Sequence, residues 1–351
     1  MMNTLAAIYK KQLQREIRSD SKIPYAYFVD NETIETKDGH LLQIIKVDGL
    51  IADTLDDELI DREKHLRNVL LISIADEDTS VYVHTMRKKI NTTLSGKFSC
   101  EFSQKLHNRW QAKLNEKSFY VNEHYITVVR KAPNVKIEKI TDLIKSLSKS
   151  AHVRARSNYR KEQLKVLNSI TLKMLSNLSA YQAKKLANKS STCGRYVVSE
   201  LMTFLGYLIN LEDREFAAPE AGLSTTLGYQ RLYFDSATGI LALKNSTQVT
   251  RYAAILSIKN YSALSYAGMF DQLLDLKLPM LISQSFSFIN KAASRKLIKE
   301  AQRHMAQGDD GLTSETHQVS ETLDELGSGQ SVYGEHHFSL LTHANDLVSL
   351  E

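Results

Sequence analysis

The sequence predicts an α+β fold of two similar mixed-sheet units joined by a long basic helical segment. Strand and helix patterns follow one another as hairpin, helix, strand, helix, strand near the N-terminus and again near the C-terminus. Between Lys136 and Lys189 the chain has thirteen Lys or Arg against three acids, a net charge of +10. We therefore predict a first unit over 1–135, a helical basic segment over 136–215 and a second unit over 216–351.

The N-terminal residues predict an amphipathic helix over 5–17. Leu5, Ile8, Leu13 and Ile17 lie on one stripe at helical spacing. This stripe is a candidate partner-binding strip. The alternative is that it packs onto the protein's own sheet.

The first unit is expected to contain short strands, two helices and two long strands. Lys37-Asp38-Gly39 provides a hairpin turn, and Thr54 with Asp57 resembles a helix capping box. The predicted strands are 25–29, 33–36, 41–47, 80–86 and 119–129, and the predicted helices are 55–75 and 102–114.

The second unit repeats this order, which suggests a diverged duplication; two unrelated mixed sheets are the alternative. The linking segment should be helical over 137–187, followed by an apolar helix over 197–211. The predicted strands are 231–234, 240–243, 252–258, 280–288 and 332–341, and the predicted helices are 263–276, 291–306 and 315–326.

Length and composition describe a globular protein that neither spans a membrane nor is exported. The 351 residues are 42% apolar and 24% charged, and the longest nearly apolar run, 69–75, is much shorter than a bilayer span. Cys100 and Cys193 stand alone, which favours two buried thiols over a disulfide.

The sequence offers no catalytic residue, cofactor site or metal site in this chain. It has no G-x-x-x-x-G-K-[ST] loop, and its Gly-rich stretch over 327–334 follows a helix and precedes a strand, the reverse of a phosphate-binding loop. His336 and His337 are adjacent on a predicted strand and therefore point to opposite faces. We expect the chain alone not to be an enzyme.

Two charged features remain as candidate binding sites. The basic residues of 136–189 could bind nucleic acid, although the favoured interpretation is the solvated face of long helices. Arg87, placed at the end of the strand predicted over 80–86, is a candidate contact to an acidic partner or a neighbouring subunit; the alternative is a strand-end charge in water.

Several blocks, in their order along the chain, resemble the N-terminal region of the large type IV secretion ATPases of the CagE/TrbE/VirB conjugal-transfer family. Each block alone is weak, and their collinear order carries the resemblance. The blocks are Ile23-Pro24-Tyr25, 37–45, Val47-Asp48-Gly49, 83–88, 119–129, 251–259, 284–288 and 334–341.

The resemblance implies a docking and assembly domain whose parent protein hydrolyses ATP, with Mg, in a C-terminal P-loop domain absent here. We expect an excised domain, with Leu350-Glu351 as a cloning remnant. The implied partners are inner-membrane subunits of the secretion complex and other secretion ATPases, with peripheral membrane association and a hexamer of the full-length protein. The implied location is the cytoplasmic side of the bacterial inner membrane, and the implied role is energising pilus assembly and DNA or protein transfer.

Overall fold

The computed structural model describes most of the chain, and every structural statement below concerns these residues. They are 19–50, 56–90, 96, 98, 100–132, 149–191, 194–220, 222–235, 237–245, 249–261, 268–307, 313–329 and 331–350.

The protein is a mixed α/β structure with extensive antiparallel pairing. Its helices are α1 Ser19–Lys22, α2 Asp57–Ser73, α3 Glu101–Asn115, α4 Lys149–Asn177, α5 Glu200–Asn210, α6 Leu223–Leu227, α7 Lys291–Gln307 and α8 Thr313–Ser328, with 3-10 turns at Ser179–Tyr181 and Asp271–Asp275. Its strands are β1 Tyr25–Phe28, β2 Ile34–Thr36, β3 Leu41–Val47, β4 Thr79–Ile90, β5 Phe119–Arg130, β6 Lys184–Lys185, β7 Asn188–Ser190, β8 Val197–Ser199, β9 Arg231–Phe234, β10 Ile240–Lys244, β11 Val249–Ser257, β12 Met280–Phe288 and β13 Gly334–Ala344.

The chain forms two compact units that alternate along the sequence. Unit 1 consists of the described parts of Met1–Asp38, Ala187–Ile255 and Leu341–Glu351, and unit 2 of those of Gly39–Leu186 and Leu256–Leu340. The sequence analysis instead predicts three consecutive domains with boundaries at 135 and 215. That division stays a prediction. The two similar mixed-sheet units of the sequence interpretation are not confirmed.

Unit 1 is built around α5, most of whose apolar side chains are buried. Leu201 and Met202 have no exposed surface. The helix begins after Ser199, whose Oγ accepts a hydrogen bond from the backbone N–H of Met202 at 3.1 Å. At Gly206 the ring of Phe216 packs so closely that a Cβ atom would lie 2.3 Å from its Cε2. Glycine is therefore required for this contact.

The strands of unit 1 form antiparallel pairs. β1 pairs with β2, β7 with β8, and β10 lies between β9 and β11. Asp235 shapes the β9–β10 turn, because its Oδ1 accepts from the N–H of Ala237 at 3.1 Å and its Oδ2 from the Thr238 hydroxyl at 2.7 Å. The predicted hairpin is thereby confirmed.

Unit 2 contains a sheet in the order β3-β5-β4-β12, with antiparallel pairing throughout and β13 beside β12. Helix α4 packs on β3, β5 and α2. Ile44, Ile45, Val128 and Leu167 are fully buried in the interior. The polar Gln43 is buried with them, and its Nε2 donates to Oδ1 of Asn168 on α4 at 2.6 Å. Burial of the apolar side chains is the main source of stability in such a layer.

The basic helical segment differs from its prediction in two ways. Its described helix ends at Asn177, well before residue 187, and Gln182 in the left-handed conformation redirects the chain into β6 beside β3. The helix also lies within unit 2, where Leu167, Ile170 and Met174 form a buried stripe among its basic residues, and its predicted linking role is not confirmed. The predicted helix over 197–211 is likewise shorter, with β8 preceding α5.

Candidate docking surfaces

Strand β9 carries an apolar surface at the outer edge of the β9–β10–β11 sheet. In the described part of the chain β9 pairs with β10 alone. Its side chains Leu232, Tyr233 and Phe234 are 52%, 42% and 65% exposed. An edge strand of this kind presents unpaired backbone groups together with apolar side chains.

The β9 surface continues a layer that is buried on the neighbouring strand. Leu232 lies directly opposite Leu243 of β10, so both side chains are on the same face of the sheet. Leu243 is only 2% exposed because Leu211 and Ala253 pack with it. No such cover reaches Leu232 and Phe234 among the described residues. The buried apolar layer of unit 1 therefore ends in exposed side chains on β9.

A second exposed apolar feature lies on α3 in unit 2. Phe102, Leu106 and Trp110 follow one another at intervals of four, and they are 75%, 57% and 57% exposed. Helix α3 has no buried residue. We call these three residues the α3 stripe.

Helix α3 begins at an exposed cysteine. The Sγ of Cys100 accepts a hydrogen bond from the backbone N–H of Ser103 at 3.5 Å and lies 3.1 Å from its Oγ. The bond with the Ser103 side chain is the first cause of a lowered pKa of the Cys100 thiol. The expectation of a buried thiol is wrong for Cys100, and Cys193 lies outside the described residues.

Arg87 lies inside β4 because the strand continues to Ile90, so the predicted strand end at Met86 is wrong. Its guanidinium is buried, with the whole residue 8% exposed. Nε donates to the carbonyl of Leu276 at 2.7 Å and Nη1 to Oδ1 of Asn122 at 2.8 Å, while the group sits 5.0 Å from the ring centre of Tyr120. All these contacts are within unit 2. A role of Arg87 toward an external partner stays a prediction.

Two further charged clusters support the unit 2 sheet. Glu123 bonds Lys46 at 3.1 Å and Lys88 at 2.8 Å. Burial by itself would raise the pKa of Glu123, but the hydrogen bonds and charges of Lys88 and Lys46 outweigh it and hold the pKa below its ordinary value. The Glu123 cluster therefore joins β3, β4 and β5.

Arg130, at the end of β5, holds the turn that precedes β4. Its guanidinium donates to Asp76, to Thr79 at 3.1 Å and to Gln163 of α4 at 2.6 Å, and it is 3.5 Å from a carboxylate oxygen of Asp78. A single side chain thereby connects the sheet, the turn and α4.

The other predicted sites are distributed as follows. Leu5, Ile8, Leu13 and Ile17 lie outside the described residues. His336 Nδ1 is 2.8 Å from the Tyr261 hydroxyl. Among the described residues no group of His, Cys, Asp or Glu has the arrangement of a metal site, and no described helix is long and apolar enough to cross a bilayer.

Sequence reasoning missed both exposed surfaces. The sequence pattern predicts only a helix over 102–114. The signal for an exposed surface is the row of basic residues Lys105, Arg109 and Lys113 beside the α3 stripe. The β9 surface has no comparable signal, because being at the edge of a sheet is decided by distant strands.

Two family models match successive parts of the chain. Residues 32–137 match the N-terminal domain of the type IV secretion system ATPase VirB4/TrbE, and residues 187–351 match the CagE, TrbE, VirB family, a component of the type IV transporter system. These matches confirm the resemblance of the chain to the CagE/TrbE/VirB family that its order of blocks predicts. A nucleic-acid-binding module is not favoured by these matches.

Curated relatives extend the similarity over almost all of the chain. It is 25% identical over 333 residues to the type IV secretion system protein virB4 of Bartonella henselae, covering 95% of this chain and 42% of the relative. The virB4 protein of Brucella suis is 24% identical over 352 residues, with coverages of 97% and 41%. Protein virB4 of Rhizobium radiobacter is 26% identical over 332 residues, with coverages of 93% and 40%. The chain thus spans about two fifths of the length of these relatives.

Proposed function

We propose that this chain is the docking and assembly domain of a type IV secretion ATPase. In this proposal ATP hydrolysis, with Mg, is performed by a part of such a protein outside these residues and energises pilus assembly and the transfer of DNA or protein. The domain contacts inner-membrane subunits and other secretion ATPases at the cytoplasmic side of the bacterial inner membrane. The full-length protein assembles as a hexamer.

The β9 surface is the observation that carries a docking role. Leu232 and Phe234 extend the buried layer of Leu243 onto β9, which pairs with β10 alone among the described residues. A partner segment that adds a strand to β9 would satisfy its backbone groups and cover both side chains in one step. Uncovered apolar surface beside a free edge is costly for a protein that acts alone, because it promotes aggregation.

The test replaces the apolar side chains of β9 in the full-length protein and follows assembly. We expect the double variant Leu232→Lys, Phe234→Lys to be lost from the membrane-bound secretion complex, because the charges keep the edge hydrated and repel an added strand. The measurement is co-purification of the variant with the complex from cells that lack the unmodified protein.

The matched control is Leu172→Lys on α4, where the leucine is 69% exposed. This variant should assemble normally. Thermal unfolding of both variants shows whether they fold as the unmodified chain does. Normal assembly of a folded double variant would contradict docking through β9.

A further inference from the structure

We propose that the α3 stripe, together with Lys105, Arg109 and Lys113, binds the surface of an anionic lipid bilayer. This inference rests on the proposed function in one respect, because the proposed function places the chain at the inner membrane. It concerns unit 2 alone, whereas the docking proposal concerns β9 in unit 1.

The first step is the geometry of the helix. Ser103, His107, Gln111 and Leu114 are partly buried, so they form the side of α3 turned toward the protein. Phe102, Leu106 and Trp110 lie outside that side and are more than half exposed. Ring contact between Phe98 and His107, with centroids 4.6 Å apart, holds another aromatic at the same helix. The helix therefore offers aromatic and aliphatic side chains to the solvent.

The second step is charge. Each of Lys105, Arg109 and Lys113 follows a stripe residue by three positions, which places it on the adjacent part of the helix surface. All three are exposed, and the only acid within α3, Glu101, pairs with Lys105 at 2.7 Å. The result is an apolar stripe bordered by a positive one.

These two features select the kind of partner. A second copy of α3 is disfavoured, because it would bring the basic residues of the two helices together. Helices that lie flat in the interface of anionic membranes combine Phe, Leu and Trp with Lys and Arg. Their apolar side chains lie among the acyl chains, and their cations lie at the headgroups. An acidic protein helix is the competing occupant, and the experiment separates it from lipid.

Trp110 is the only tryptophan of the chain, so its fluorescence reports on this surface and on no other. The experiment adds the purified chain to vesicles of phosphatidylcholine with phosphatidylglycerol and to vesicles of phosphatidylcholine alone. We expect binding to the anionic vesicles only, with a blue shift of Trp110 emission as the ring leaves water. Binding should weaken as salt is raised.

Two sets of variants test the two halves of the surface. The triple variant Lys105→Gln, Arg109→Gln, Lys113→Gln should bind anionic vesicles about 100-fold more weakly. Leu106→Glu should weaken binding by about tenfold or more, because it places a charge in the apolar contact. The control is Leu66→Glu on α2, a leucine that is 39% exposed in the same unit, and it should bind as the unmodified chain does.

Three results would overturn the proposal. They are no binding to anionic vesicles, equal binding to neutral vesicles, and binding without a change in Trp110 emission. If the chain does not bind vesicles and Leu106→Glu abolishes binding of a protein partner, the α3 stripe is a protein-binding surface. The vesicles contain no other secretion subunit. A negative result with vesicles therefore does not contradict the proposal that β9 docks a partner.

Discussion

Arg87 of β4 and Asn122 of β5 are directly opposite each other in the antiparallel register and are joined by a hydrogen bond of 2.8 Å from Nη1 to Oδ1. The same guanidinium reaches the carbonyl of Leu276, which precedes β12. From one buried position, Arg87 therefore connects β4 to the Asn122 side chain of β5 and to the segment that precedes β12. Its observed contacts are structural, and they give its replacement a clear expected effect.

Arg87→Ala should lower the free energy of unfolding by about 2–4 kcal/mol. It removes a buried cation and leaves the Leu276 carbonyl and the Asn122 amide without their donor. Arg87→Lys should lose less, since an ammonium group can still donate to one of the two. Denaturant unfolding of the purified chain measures the differences.

Lys89→Ala is the matched control for Arg87, because Lys89 is an exposed cation on the same strand. Its unfolding free energy should change by less than about 0.5 kcal/mol. If Arg87→Ala were as stable as the unmodified chain but failed to join the secretion complex, the predicted partner role of Arg87 would replace the structural one.

Arg130→Gln should destabilise unit 2 by about 2–3 kcal/mol. The glutamine cannot span Thr79, Gln163 and the Asp76 carboxylate, and Asp76 and Asp78 would then lie close together without the cation. Hydrogen exchange should show faster opening of the residues before β4 and of α4. Lys165→Gln, which replaces an exposed cation of α4, should leave exchange unchanged. An equal effect of both variants would mean that the Arg130 network contributes little.

Acid should destabilise the fold through two buried histidines. Burial lowers the pKa of His84 to about 4, and burial with the charge of Arg251 lowers the pKa of His343 to about 4, against an ordinary value of 6.5. The unfolded chain therefore binds these protons first, so stability is complete above about pH 6.5 and decreases as pH falls toward 4, by roughly 3 kcal/mol for each residue.

Variants that cannot titrate isolate this effect from that of the carboxylates. His84→Asn retains an atom able to bond the Ser283 hydroxyl, 2.9 Å from Nδ1, and His343→Gln can reach the Tyr207 hydroxyl, 3.3 Å from Nε2. Each variant should flatten the dependence of unfolding free energy on pH between 6.5 and 4. Curves parallel to that of the unmodified chain would show that the histidines are protonated in the folded protein.

The purified chain should neither hydrolyse ATP nor bind it tightly. The reason is that the sequence has no lysine in a loop that surrounds phosphates. Calorimetric titration with ATP and Mg, together with a phosphate-release assay, measures both properties. Turnover that persists through further purification would place nucleotide chemistry in this chain.

Local sequence patterns were sufficient for much of the secondary structure. The predicted bounds of β3, β9 and β12 are those observed. Asn290 caps α7, because its Oδ1 accepts from the N–H of Ala293 at 2.8 Å. Patterns of period 2 and 3.6 and the chemistry of turns act over a few residues, so they can be read without knowing the partners. The helix predicted over 263–276 shows the limit, since its described end is a turn and a 3-10 segment.

The sequence by itself determined most of the helices and strands, the resemblance to a family and the absence of a phosphate-binding loop motif. Only the tertiary structure decided which apolar stripes are covered. Leu167, Ile170 and Met174 on α4 and Phe102, Leu106 and Trp110 on α3 are similar patterns, yet the first set is buried and the second is exposed. The physical reason is that an apolar stripe in the sequence shows only which side of a helix could be buried. Burial itself requires a second surface, which distant parts of the chain or a partner must supply.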